Sequence, residues 1–237
     1  MRFVIYNPKA IAKRISVVIS ALLLLLIISF TVDIPTISPA VGSNSINKST
    51  IGIDAGHGGY DAGANIDGVL EKDINLNIAL KLEEVLLANG YNVVMTRRED
   101  KDFLQEVSGP KKKQDFANRK KILTAQPVDI IVSIHVNSFP SSKWSGAQVF
   151  YDRENPEGKK LAQSIQDSII ETLQNTNRDI ATQDHFITRE FEQPSVIVET
   201  GFISNPQERK NLEDPNYQYK LVWAIYSGIM NYQKSLK

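Results

Sequence analysis

Strand and helix signals alternate along most of this chain, and the alternation predicts an α/β fold: one domain, a mostly parallel six-stranded sheet sandwiched by helices, preceded by an N-terminal membrane segment. Three observations carry that expectation. Runs rich in Ile and Val, such as residues 129–134, read as strands covered on both faces. Between them lie stretches whose apolar residues recur every three or four positions, as amphipathic helices require. Ahead of both stands an uncharged stretch, residues 15–32, preceded by Arg2, Lys9, Lys13 and Arg14. The chain has 237 residues. With its N-terminal stretch set aside, about 190 remain, which suits one compact domain. No internal repeat is evident.

The uncharged stretch exceeds the usual apolar region of a signal peptide and lies near the lower limit for a spanning helix. A core helix would carry a polar face, and this segment offers only Ser and Thr. Basic residues on its N-terminal side orient its C-terminal side outward. An uncleaved anchor over residues 1–32 is favoured over a cleaved signal, because Ser38-Pro39-Ala40 lies far beyond the apolar run and holds a proline. Residues 33–49, with Pro35, Pro39 and many Ser and Asn, read as a tether. The folded domain then spans 50–237.

Within it, residues 51–54 form a short buried strand. Residues 71–89 are helical, with Ile74, Ile78, Leu82 and Val85 on one face and Gly90 as the stop. A strand over 91–96 follows. A charged connector with Lys111, Lys112 and Lys113 then leads into a helix over 115–125. Residues 129–134 and 148–151 are strands, and the next helix buries Leu161, Ile165, Ile169 and Leu173. Two more strands are expected at 185–188 and 196–198. A last helix over 217–233 turns Leu221, Ala224, Ile225, Gly228 and Ile229 inward.

Composition narrows the function. Lys plus Arg equals Asp plus Glu, 27 each, so there is no basic excess to bind nucleic acid. Cysteine is absent, so any metal must be held by His, Asp or Glu. Four polar residues sit where elements end. His57 follows the first strand, Glu71 opens the first helix, and His135 and Glu199 end later strands. Open α/β sheets bind ligands at the carboxyl ends of their strands. Two imidazoles and a carboxylate are a usual ligand set for catalytic zinc, with a fourth position left for water. A further carboxylate can then serve as general base, and Glu199 fits that role. Each residue also has a plainer reading. A histidine can simply end a strand, Glu71 can complement the helix dipole, and Glu199 can be a solvated strand terminus. Their co-location on one sheet edge is what favours a site. The loop at 56–63 fits neither the dinucleotide nor the phosphate-loop pattern, which argues against a nucleotide-binding protein.

Five segments carry a resemblance: Ile53-Asp54-Ala55-Gly56-His57-Gly58-Gly59, Leu70-Glu71-Lys72-Asp73, Met95-Thr96-Arg97, Ser133-Ile134-His135-Val136-Asn137, and Val198-Glu199-Thr200-Gly201-Phe202-Ile203-Ser204-Asn205-Pro206. In this order they resemble the zinc-dependent N-acetylmuramoyl-L-alanine amidases, the amidase-3 family. The resemblance implies a catalytic domain over 50–237 holding one Zn2+ per chain on His57, Glu71 and His135, with Glu199 catalytic. It implies cleavage of the peptidoglycan amide between the lactyl group of N-acetylmuramic acid and L-alanine. Residues 133–151 are similar to one branch, the membrane-anchored amidase of endospore formers that prepares muramic acid for lactam formation in the spore cortex. Ala55 stands where the family usually has proline, and Thr200 where valine is common. A looser turn at Ala55 implies weaker zinc binding and an accessory partner. A non-catalytic wall-binding or scaffold protein on the same fold is the alternative, and loss of a ligand or of Glu199 would mark it.

Four further features have two readings each. Asp54 could accept a hydrogen bond from a ligand imidazole or merely end its strand. Asn137 could bind substrate amides or cap a turn. His185 is read as a packing or surface residue, and Trp144 as a loop anchor or a sugar-stacking face.

Overall fold

The computed structural model describes residues 49–104, 110–183 and 185–236. The anchor expected over 1–32 and nearly all of the tether lie outside the described residues. Among the described residues no helix is long and apolar enough to cross a membrane.

The chain enters through β1 (Thr50–Ala55), then a two-stranded antiparallel ribbon, β2 (Asn65–Ile66) and β3 (Val69–Leu70), that hands directly to α1 (Glu71–Ala88). β4 (Asn92–Met95), α2 (Lys111–Leu123), β5 (Ile130–Asn137), β6 (Gln148–Tyr151) and α3 (Pro156–Leu173) follow. The remainder is β7 (Ala181–Thr182), α4 (Phe186–Arg189), β8 (Ser195–Phe202), α5 (Pro206–Glu213) and α6 (Pro215–Ser235). Six strands form one sheet in the order β4-β1-β5-β8-β6-β7. All neighbours are parallel except β6 and β8, which run antiparallel.

Alternation along the strands sorts side chains onto two faces. Ile51, Ile53, Val132, Ile134, Val196 and Val198 point into the larger core, covered by α1, α3 and α6. Gly228 of α6 lets that helix lie directly on α3, since a methyl there would overlap Ile165. The opposite face carries a smaller core of Val94, Leu123, Ile131, Ile187 and Ile197 beneath α2 and α4. On this second face the sequence turns polar toward the strands' carboxyl ends. Asp54, Ser133, His135, Asn137 and Glu199 alternate with the apolar residues of the first. That switch of polarity along one face creates the site.

Several expected boundaries move. Helix α2 begins at Lys111, so the three lysines form its first turn rather than a connector; Pro110, in an extended conformation, sets its start. The strand expected at 185–188 is instead the short helix α4. Its β-branched Ile187 and Thr188 suggested a strand, but the amides of Thr188 and Arg189 both donate to the His185 carbonyl and close a turn. The sixth strand is β7, whose two residues are too few to give a period. Glu199 does not end its strand, because β8 continues to Phe202. A solvated terminus is therefore not its environment. Helix α5 was not expected, although Asn205 accepts from the amides of Gln207 and Glu208 as an N-cap does.

Candidate metal centre and active site

The loop after β1 carries the first candidate ligand. His57 has φ 60°, a left-handed conformation that costs a non-glycine residue about 1 kcal/mol. Two buried guanidinium groups hold the loop in place. Arg97 donates through Nε to the Ala55 carbonyl at 2.9 Å and through a terminal nitrogen to Gly56 at 2.9 Å. Arg119 reaches the carbonyls of Ala55 at 2.9 Å and His57 at 2.7 Å. Ala55 also uses the N–H that proline would lack, donating to Thr96 Oγ1 at 3.2 Å. The turn expected to be loose is thus braced from both sides. Gly56 leaves room for the second imidazole, since a methyl there would overlap the His135 ring.

Glu71, at the start of α1, is buried and held in orientation by the backbone. The amide of Ala64 donates to Oε2 at 2.9 Å and that of Val136 to Oε1 at 3.2 Å. Its Oε1 lies 3.1 Å from His57 Nε2 and 3.1 Å from His135 Nδ1. The two imidazoles approach edge to face, with ring centres 4.9 Å apart. Burial would raise the Glu71 carboxyl, but the two histidines outweigh it and hold it far below the ordinary range. His135 is fixed from the next strand, where Thr200 Oγ1 donates to its carbonyl at 2.9 Å. The threonine that stands in place of valine therefore ties β8 to β5 beside the site.

One ligand atom from each of His57, Glu71 and His135 lies within 4.8 Å of the others. Two neutral-capable imidazoles and a preorganised carboxylate fit a dication of the zinc type. Positive charge is what this carboxylate invites.

Glu199 pairs in register with His135 across β5 and β8, so the two side chains share a face. Its Oε2 is buried and has no hydrogen-bond partner among the described residues. Burial raises its carboxyl to about 7; the imidazoles oppose this, and the Glu71 charge adds to it. Together with the three ligand candidates it lines a cavity of about 250 Å³.

The remaining candidates fall around this group. Asp54 accepts its hydrogen bonds from Arg119 at 2.8 Å, Ser133 at 2.7 Å and Thr96 at 2.9 Å, and among the described residues none from an imidazole. It reaches His57 through Arg119. Asn137 lines the cavity, and its carbonyl accepts from the Ile203 amide. His185 lines the cavity too. Trp144 is 47% exposed and meets Phe139 edge to face, so it is not embedded in the core.

Sequence reasoning missed Asp61. Its Oδ2 lies 2.9 Å from His57 Nδ1, a charge contact rather than an aligned hydrogen bond. A backbone bridge between Gly58 and Asp61 holds it there. The available signal was its place four residues after a candidate ligand, in a glycine-rich turn. Carboxylates on the far side of a ligand imidazole fix its orientation and basicity. Asp61→Asn is expected to weaken zinc binding about tenfold or more, read by chelator competition. Unchanged affinity would assign Asp61 to the loop alone.

Comparison with known proteins places this geometry. Residues 51–231 match the Amidase_3 family, N-acetylmuramoyl-L-alanine amidase. The germination-specific N-acetylmuramoyl-L-alanine amidase of Bacillus subtilis is 38% identical over 192 residues, covering 79% of this chain and 81% of that protein. The CwlD amidase of Clostridioides difficile, solved in complex with the GerS lipoprotein, superposes with a TM-score of 0.76 at 38% identity, covering 79% of this chain and all of that one. The catalytic domain of CwlV, an amidase from Bacillus (Paenibacillus) polymyxa var. colistinus, gives 0.69 at 32% identity, over 78% of this chain and 98% of that one. By sequence, by fold and by its His-Glu-His cluster, the chain belongs to the N-acetylmuramoyl-L-alanine amidase family.

Proposed function

We propose that this protein hydrolyses the amide between the lactyl group of N-acetylmuramic acid and L-alanine in peptidoglycan, with one zinc ion per chain on His57, Glu71 and His135 and with Glu199 as general base. The supporting observation is the partnerless, buried Glu199 oxygen in the same cavity as the three ligand candidates. Zinc, when bound, supplies a Lewis acid and lowers the pKa of water to about 7. Glu199 takes the proton of the attacking water and passes it to the departing L-alanine nitrogen. In this reading Asn137, which lines the cavity, holds a substrate amide, while Arg97, Arg119 and Asp61 keep the His57 loop in position. A wall-binding scaffold would not need a buried, unpaired carboxylate beside a ligand cluster.

The same proposal covers setting and partners. Residues 1–32 anchor the chain, 33–49 tether it, and the domain works on the outer side of the membrane. Similarity to a germination-specific amidase supports action on spore cortex, on the route to muramic lactam. Because the turn at Ala55 is braced, an accessory protein is supported by the relative solved with a lipoprotein and not by a loose loop. Deleting the gene is expected to remove muramic lactam from spore-cortex hydrolysates, measured by chromatography of muropeptides. Persistence of the lactam would remove the cortex assignment and leave the amidase chemistry standing.

A further inference from the structure

The cavity has a second wall, made by α2 and α4, that the hydrolytic groups leave unused. Phe116 and Phe186 stack there with ring centres 5.1 Å apart and planes 13° apart, and Ile187 extends the apolar surface. Lys112 stands four residues before Phe116 on the same helix face. It lines the cavity, with its ammonium 5.7 Å from the Phe116 ring centre. The cavity's other cation, Arg119, is fully committed to Asp54, Asp115 and two backbone carbonyls. The charge of Lys112 reaches Asp61 across the cavity and helps hold that carboxyl below its ordinary value, but among the described residues Lys112 makes no contact-distance ion pair or hydrogen bond through its side chain. Nor does its position help the helix, since it adds positive charge to the first turn, where the dipole is already positive.

We propose that Lys112 recognises a substrate carboxylate, namely the free α-carboxylate of the residue that follows L-alanine in the stem peptide. This rests on the amidase reading above. Chemistry selects the peptide side of the scissile bond. On the sugar side the lactyl carboxyl is consumed in the amide, leaving neutral hydroxyl and acetamido groups. The nearest anion lies on the peptide. With zinc bound the metal offsets Glu71, and Lys112 is the cavity-lining side chain left to meet that anion against the carboxylates of Asp61 and Glu199. The stem peptide therefore runs over α2, with its apolar atoms against Phe116 and Phe186, and the glycan leaves on the opposite side.

The test compares two muramoyl dipeptides, one with the α-carboxylate free and one with it amidated, using the zinc-loaded full chain. The wild type is expected to show kcat/KM about tenfold higher on the acid, a difference that shrinks as ionic strength rises. Lys112→Gln should treat the two alike and Lys112→Glu should prefer the amide, both with unchanged melting points. A wild type that does not discriminate, or a Lys112→Gln variant that keeps the preference, overturns the assignment and leaves the amidase reading intact. Release from neither substrate by the wild type removes both.

Discussion

Arg119→Met is expected to destabilise the protein by about 3–5 kcal/mol, the cost of removing one partner from a buried ion group. The guanidinium is 2% exposed and bonds to Asp54, to Asp115 at 2.6 Å, and to the carbonyls of Ala55 and His57. Methionine would leave two buried carboxylates and two carbonyls without this donor. For a domain of this size the midpoint of thermal unfolding should fall by about 10 °C. Lysine is no substitute, because one ammonium lacks the planar fork that serves all four acceptors. Zinc affinity should fall too, since the strained His57 backbone loses a donor. The network also has a pH signature. Burial alone would raise the Asp54 carboxyl, but Arg119 and the Ser133 hydroxyl overcome it and set the group at about 2, below its ordinary 3.8. A carboxyl lowered by folding stabilises above its unfolded value and loses that contribution as pH falls through its folded value. The wild type should therefore lose stability between about pH 4 and pH 2, and Arg119→Met should lose less over that range. A variant that melts with the wild type would show that the network does not hold the fold.

The candidate cluster was legible because sites in an α/β sheet form toward the carboxyl ends of strands: His57 follows β1, Glu71 opens α1, and His135 lies near the end of β5. The larger core was legible too, since period-2 and period-3.6 patterns mark its strands and helices directly. What sequence could not supply were contacts made across the fold. Arg119 meets His57 from 62 positions away and Arg97 meets Gly56 from 41. No local pattern distinguishes such an arginine from a solvated one. Asp54 shows the same limit: its strand-end position was visible, but its commitment to Arg119 was not. At 185–188, β-branched residues mimicked a strand because packing into the smaller core, rather than propensity, decides that turn. Glu199 was read as a strand end, whereas it is a mid-strand residue facing the cavity.

Glu199→Gln is expected to lower turnover by about a thousandfold or more, within the range that loss of a positioned general base produces, and to leave zinc binding intact. Glutamine keeps the shape but cannot accept the water's proton. The same exchange should alter stability with a definite sign. In the metal-free protein the Glu199 carboxyl is raised from 4.5 to about 7, so ionising it opposes folding. Stability from this group is complete below its ordinary value and is lost as pH rises through 7. Metal-free Glu199→Gln should therefore melt above the metal-free wild type at pH 8 and close to it at pH 5. Catalysis and stability pull in opposite directions at this position, as is common where a charge is kept without a partner.

The most direct test measures two quantities on the same preparations of wild type, Glu199→Gln and His135→Ala: bound zinc by elemental analysis, and free L-alanine amino termini released from purified peptidoglycan. The account predicts zinc near one per chain with release in the wild type, zinc without release in Glu199→Gln, and loss of both in His135→Ala. Near-normal release by Glu199→Gln, or a full zinc complement in His135→Ala, would contradict it.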